Sequence, residues 1–116
     1  MSLSVGDPAP DFTLFNQDRE EVSLDALKGH KSMVVFIPFP FTGICEGELC
    51  VLRDNLAALG EFDANVVVIT VHAIPTNKAW SDANHFNFSV LSDYWPHGEV
   101  AKAYGAFNET VGAANR

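Results

Sequence analysis

Residues 65–71, Asn-Val-Val-Val-Ile-Thr-Val, form an unbroken run rich in β-branched side chains. A strand with one wet face would alternate apolar and polar residues. This run does not, so both of its faces must be covered, as in the centre of a parallel sheet flanked by helices. A second apolar run, Met33 to Ile37, predicts a strand over 31–37. Between the two, Ile44, Leu49, Leu52, Leu56 and Leu59 set an apolar helical stripe over about 44–59, interrupted by Glu48 and stopped by Gly60. Pro75 suits the first turn of a helix reaching about His85, followed by a strand over 88–91 and a helix over 96–104. From residue 31 the order is strand–helix, three times over, which implies parallel pairing with right-handed crossovers. Upstream, Asp11–Phe15 and Glu21–Leu24 alternate across the turn-rich Asn16-Gln17-Asp18, an antiparallel hairpin, and residues 25–29 read as a short helical turn ended by Gly29. The class is α/β.

At 116 residues the chain is expected to be one domain, residues 1–116. With 47% hydrophobic and 19% charged residues it has the composition of a globular protein, not a disordered one. A formal net charge of -8, with no local basic cluster, argues against nucleic acid and anionic membranes as partners. The first eleven residues lack the basic start and apolar core of a secretory leader, and no apolar run approaches a membrane span. Two cysteines in such a chain point to redox-active or inert thiols in a reducing cytoplasm, not to a structural bridge.

Cys45 stands where the strand at 31–37 hands over to the helix, within the first helical turn. Unpaired N–H groups and the positive end of the helix dipole favour a thiolate there. Pro38 lies seven residues before it and Thr42 three before, giving Pro-x-x-x-Thr-x-x-Cys in the octad Pro38-Phe39-Pro40-Phe41-Thr42-Gly43-Ile44-Cys45. Taken singly, a cysteine before a helix is a small buried apolar residue, Thr42 a helix cap and Arg116 a solvated tail.

The octad resembles the active-site motif of the peroxiredoxins, peroxidases that reduce hydroperoxides with a cysteine. The likeness extends to Val5–Phe12, Leu91–Gly98 and Ala103–Asn108, the latter two closest to the AhpE-like branch, and spans nearly all of residues 3–116. It implies a thioredoxin-like fold, often paired into dimers, with Cys45 as the peroxidatic thiol and no cofactor or metal. In this reading Pro38 removes a competing N–H and shields the thiolate. Thr42 can accept from the peroxide O–H and donate to sulfur. A guanidinium stabilises the thiolate and polarises the O–O bond. The segment Gly112-Ala-Ala-Asn-Arg116 looks like the family's arginine-bearing strand, and Glu48, one helical turn after Cys45, is placed to orient Arg116.

Cys50 departs from the AhpE-like pattern, which has one cysteine. Its spacing from Cys45 resembles instead the PrxQ, or bacterioferritin comigratory protein, branch, where the second cysteine resolves the first. On an intact helix the two would be about 7.5 Å apart in rise and turned by roughly 140°, so bridging them requires the first turns to unwind. Either Cys50 resolves Cys45 and a thioredoxin-type partner reduces the disulfide, or Cys50 packs on the helix and a small thiol or a glutaredoxin- or mycoredoxin-type partner reduces the sulfenic acid.

Trp80 and Trp95 read as packing residues, and the resemblance also puts Trp95 at the peroxide pocket or a dimer surface. His30, His72, His85 and His97 lack metal-ligand spacing, and a zinc site at Cys45 and Cys50 lacks the histidine pair it needs. Relatives of this type continue past the arginine with two strands and a helix, roughly 35–40 residues by ordinary domain size. The sequence is therefore expected to be a fragment. Its strand at 31–37 would then present Val34 and Phe36 on an open apolar edge, and a carboxylate on Arg116 would draw charge from its guanidinium. The function expected is a thiol-dependent peroxidase. A thiol–disulfide oxidoreductase is the alternative, disfavoured because Cys45-Glu-Gly-Glu48 lacks the second cysteine of Cys-x-x-Cys; an inactive oligomerising module is the third reading.

Overall fold

In a computed structural model, the structure describes residues 4–27, 31–41, 47, 49–51, 64–86 and 88–115. The N-terminal hairpin forms as the alternation predicts: β1, Thr13–Phe15, pairs antiparallel with β2, Glu21–Ser23, through Leu14 opposite Val22. Asn16 closes its turn, since Oδ1 accepts from the amides of Asp18 and Glu20 at 2.9 Å each. A four-residue helix, α1, Leu24–Leu27, follows.

The parallel heart of the sheet is β3, Lys31–Phe36, β4, Ala64–Thr70, and β5, Ser89–Ser92. The five strands run in the order β2-β1-β5-β4-β3. β4 is central, and its side chains alternate between two cores. Val66 and Val68 pack on one face with Ile37, Leu49, Trp80, Phe86, Phe88 and Val90, while Val67 and Ile69 meet Phe12, Leu14, Leu27, Leu91 and Val100 on the other. An uninterrupted apolar run is what a two-period strand needs when both faces are dry.

Helix α2, Ile74–Asn84, carries Pro75 in its first turn and ends at His85, whose left-handed backbone lets Phe86 N–H reach the Ser81 carbonyl. It buries Trp80 completely against the sheet. α3, Glu99–Ala103, is shorter than the 96–104 the sequence predicts. Residues 93–98 are instead a turn containing a cis Trp95–Pro96 bond, and Gly98 lies at φ 71, so the helix can begin only after it. A small hairpin ends the described chain: β7, Ala113–Ala114, falls in the segment that resembles the arginine-bearing strand, while its partner β6, Phe107–Asn108, is unforeseen from sequence. Its strands are only two residues long, which is why no periodicity announces them. β3 is the edge strand among the described residues, but its apolar side is less open than expected. Val34 and Phe36 are half-buried, and Phe36 packs on Tyr104 with ring centroids 5.4 Å apart. No described helix is long and apolar enough to cross a membrane.

Candidate active site

The carboxyl ends of parallel strands, where ligands bind in open α/β sheets, gather the described part of the site. Ile37 N–H donates to the Ile69 carbonyl at 3.2 Å, extending the ladder one residue past β3. Pro38 has no N–H to donate, so the chain leaves the sheet there. Phe39 sets its ring edge-on to the His72 imidazole, centroids 5.9 Å apart, and Phe41 faces Trp80 at 6.5 Å. Phe41 has φ 63, a left-handed backbone that costs a bulky residue about 1–2 kcal/mol. Thr42, Cys45, Glu48 and Arg116 lie outside the described residues. Of the six residues singled out from sequence, the structure describes Pro38 and Cys50.

The floor beneath Phe39 is a buried polar relay. Thr70 Oγ1 donates to Asn77 Oδ1 at 2.8 Å and accepts from His72 N–H at 3.1 Å, while Asn77 Nδ2 reaches the Leu91 carbonyl at 3.5 Å. Ser92 Oγ donates to the His72 carbonyl at 2.6 Å. These bonds hold the ends of β4 and β5 in register where the site opens. His72 Nδ1 is buried without a hydrogen-bond partner among the described residues. Burial pushes the imidazole below its usual pKa, and the neighbouring His97 adds to that, so His72 is biased towards its neutral form.

Cys50, in a helical stretch with Leu49 and Val51, is a half-buried free thiol. It packs against the core cluster of Ile37, Leu49 and Trp80, and Sγ donates to Asn84 Oδ1 at 3.8 Å. Asn84 is itself held by α2, its Nδ2 donating to the Trp80 carbonyl at 3.1 Å.

The third strand end, β5, leads into Asp93, 2% exposed. Its carboxylate accepts from Val100 N–H at 3.1 Å and Ala101 N–H at 2.9 Å, fastening the 93–98 turn to the start of α3. Burial pushes the Asp93 pKa up, against the opposing pull of those two amides. Trp95 projects from this turn, 82% exposed; unlike Trp80 it is not a core residue. With Phe15, Arg19, Ile74, Pro75 and Tyr94 it lines an open apolar groove of about 280 Å³.

Phe39, Phe41, Gly112 and, Trp95 apart, Leu91–Gly98 stand in the sequence only as parts of motifs. Nothing in the sequence alone assigns a role to Thr70, Asn77, His72, Asp93 or His97. The available signal was polarity at positions where the pattern demands apolar residues: Thr70 within a β-branched strand, and Asn77 one turn before Trp80.

Residues 5–116 match the AhpC/TSA family. The chain is 49% identical over 115 residues to alkyl hydroperoxide reductase E of Mycobacterium tuberculosis, covering 98% of this chain and 75% of that protein. It is 36% identical over 107 residues to a putative peroxiredoxin bcp of Haemophilus influenzae, covering 92% and 68%. Among solved structures it superposes on peroxidoxin BcpB from Mycobacterium tuberculosis with a TM-score of 0.86 at 26% identity, covering 95% of this chain and 71% of the other. Enterococcus faecalis AhpC gives 0.84 at 26% identity, covering 98% and 71%.

Proposed function

The chain belongs to the AhpC/TSA family, and on that premise we propose that Cys45 is the thiol that attacks the hydroperoxide. The protein is a thiol-dependent peroxidase of thioredoxin-like fold, reducing hydroperoxides with electrons from a thiol reductant. The observation that supports Cys45 is local. β3 delivers Pro38 to the carboxyl edge of the parallel sheet and residue 47 is helical, and in chain order Cys45 falls between the two. A thiolate there benefits from free amides and the helix dipole.

In the first step the Cys45 thiolate attacks the terminal oxygen of ROOH. The S–O bond forms as the O–O bond breaks. Sulfur is oxidised to sulfenic acid, and the leaving alkoxide takes a proton to depart as ROH, or as water from H2O2. Thr42 holds the peroxide O–H, Pro38 shields the sulfur, and Arg116, oriented by Glu48, stabilises the charge growing on the leaving oxygen. In the second step a thiol attacks the sulfenic sulfur, water leaves and a disulfide forms. We assign that thiol to Cys50, with a thioredoxin-type protein reducing the resulting bridge. The packing of Cys50 on the core and on Asn84 favours a second reading of this step alone, in which an external thiol or a glutaredoxin- or mycoredoxin-type protein takes its place. Gly43 and Gly47 are poor helix formers, each making the helix about 1 kcal/mol less favourable than alanine would and so easing unwinding, while exposure of Leu49 opposes it. We further propose a single domain over 1–116, a homodimer and a cytoplasmic setting.

Stopped-flow mixing with H2O2 tests the assignment. Cys45→Ser is expected to abolish rapid peroxide consumption, and turnover that survives the substitution overturns it. Intact-mass analysis after one equivalent of peroxide reads the second step. Loss of two hydrogens, mapped to Cys45 and Cys50, supports internal resolution; a stable gain of one oxygen at Cys45, trapped by dimedone, transfers the role to an external thiol.

A further inference from the structure

We propose that His97 is a positioning residue for the arginine of the site, acting through the β6–β7 hairpin that leads to Arg116. The inference rests on the reading of Arg116 given above. His97 Nε2 donates to the Gly112 carbonyl at 2.6 Å, and its ring stands edge-on to Phe107, centroids 5.9 Å apart. Gly112 and Phe107 flank the hairpin, one just before β7 and the other opening β6. A hairpin with two-residue strands has too little of its own to stay in one place and needs external bracing.

The bracing is supplied from one side. Asp93 pins the 93–98 turn to α3 through Val100 and Ala101, and Gly98 N–H donates to the Asp93 carbonyl at 3.0 Å, so His97 projects from a fixed support. Gly98 lies so close to Phe107 that a Cβ there would clash with Cε1 and Cδ1 of the ring, and Lys102 Nζ sits 4.8 Å above that ring. At the other end, Asn115 N–H donates to the Ala106 carbonyl at 2.6 Å, and Ala113 and Ala114 are buried. The backbone entering Arg116 is thus clamped at Gly112 and at Asn115. Removing the His97 clamp leaves the folded core untouched but frees the hairpin that immediately precedes Arg116 in the chain.

The Gly112 carbonyl is an acceptor, so Nε2 must carry a proton, and a glutamine amide can replace it where an asparagine is too short. The test measures the Cys45 thiolate pKa by its ultraviolet absorbance and the second-order rate with H2O2, with thermal melting to confirm folding. His97→Leu is expected to raise the Cys45 pKa and slow oxidation roughly fivefold, as for one lost hydrogen bond. His97→Gln is expected to restore both and His97→Asn to resemble leucine, a pair that serves equally if the leucine variant does not fold. In an Arg116→Ala background His97→Leu is expected to add nothing. Silence of both His97→Leu and His97→Asn, or an undiminished effect of His97→Leu without the arginine, overturns the role of His97. An Arg116→Ala variant with unchanged pKa and rate overturns the assignment of Arg116 itself, and this inference with it.

Discussion

Asp93 shows how one buried side chain ties stability to pH. Its carboxyl is wrapped by backbone amides and by the packing of α3, and burial outweighs the amides, raising its pKa in the fold. A carboxyl that holds its proton more tightly folded than unfolded adds stability as pH falls. The gain begins as pH drops from neutral through the raised folded-state value and is complete below the ordinary carboxylate pKa of about 3.9. Asp93→Asn removes this increment. Urea denaturation of the two proteins between pH 7 and pH 4 is therefore expected to show the wild type gaining on the variant as pH falls. A difference that stays constant, or shrinks, sinks the argument.

Among the elements, the turn at 93–98 and the β6–β7 hairpin depend on each other more than either depends on the sheet. Gly98 combines a left-handed backbone with direct contact against Phe107, so an added methyl group is opposed twice. Gly98→Ala is expected to destabilise the protein by about 2–5 kcal/mol, the sum of backbone strain and an overpacked contact. Phe107→Ala opens the space and should recover part of that loss, leaving only the strain. Chemical denaturation of the single and double variants measures the coupling; strict additivity would mean that Gly98 and Phe107 do not touch in solution. The parallel strands behave differently. Their run of valines and isoleucines determines pairing and burial together, because the same residues satisfy both.

For the whole molecule, charge and exposed aromatics pull association in opposite directions. Each chain carries a formal charge of -8, so two copies repel. Against this stand Phe41, Tyr94 and Trp95, all more than half exposed, the last two lining the apolar groove. The proposed homodimer is expected to use this surface. Sedimentation at rising salt should then show tighter association as repulsion is screened, and Trp95→Ala should weaken it by roughly 2 kcal/mol, as for a central aromatic anchor. A monomer at all salt concentrations, or a dimer indifferent to Trp95, would count against that surface.

The division between sequence and tertiary structure follows from range. The sequence by itself determined the α/β class, the N-terminal hairpin, three parallel strands and α2, because each rests on periodicity within a few residues. It also carried the octad from Pro38 to Cys45, where chemistry and chain order are the same information. It overextended the helix at 96–104, since a Pro and a Gly inside a helical pattern do not say which turn will form around them. Only the tertiary structure decided that Trp80 is core and Trp95 is surface, as both sit in similar polar–apolar contexts. Only it joined Thr70 to Asn77, Asp93 to the amides of α3, and His97 to Gly112. Polar contacts of this kind depend on distance and direction between side chains that periodicity does not encode, and they become legible only once the sheet has brought its strand ends together.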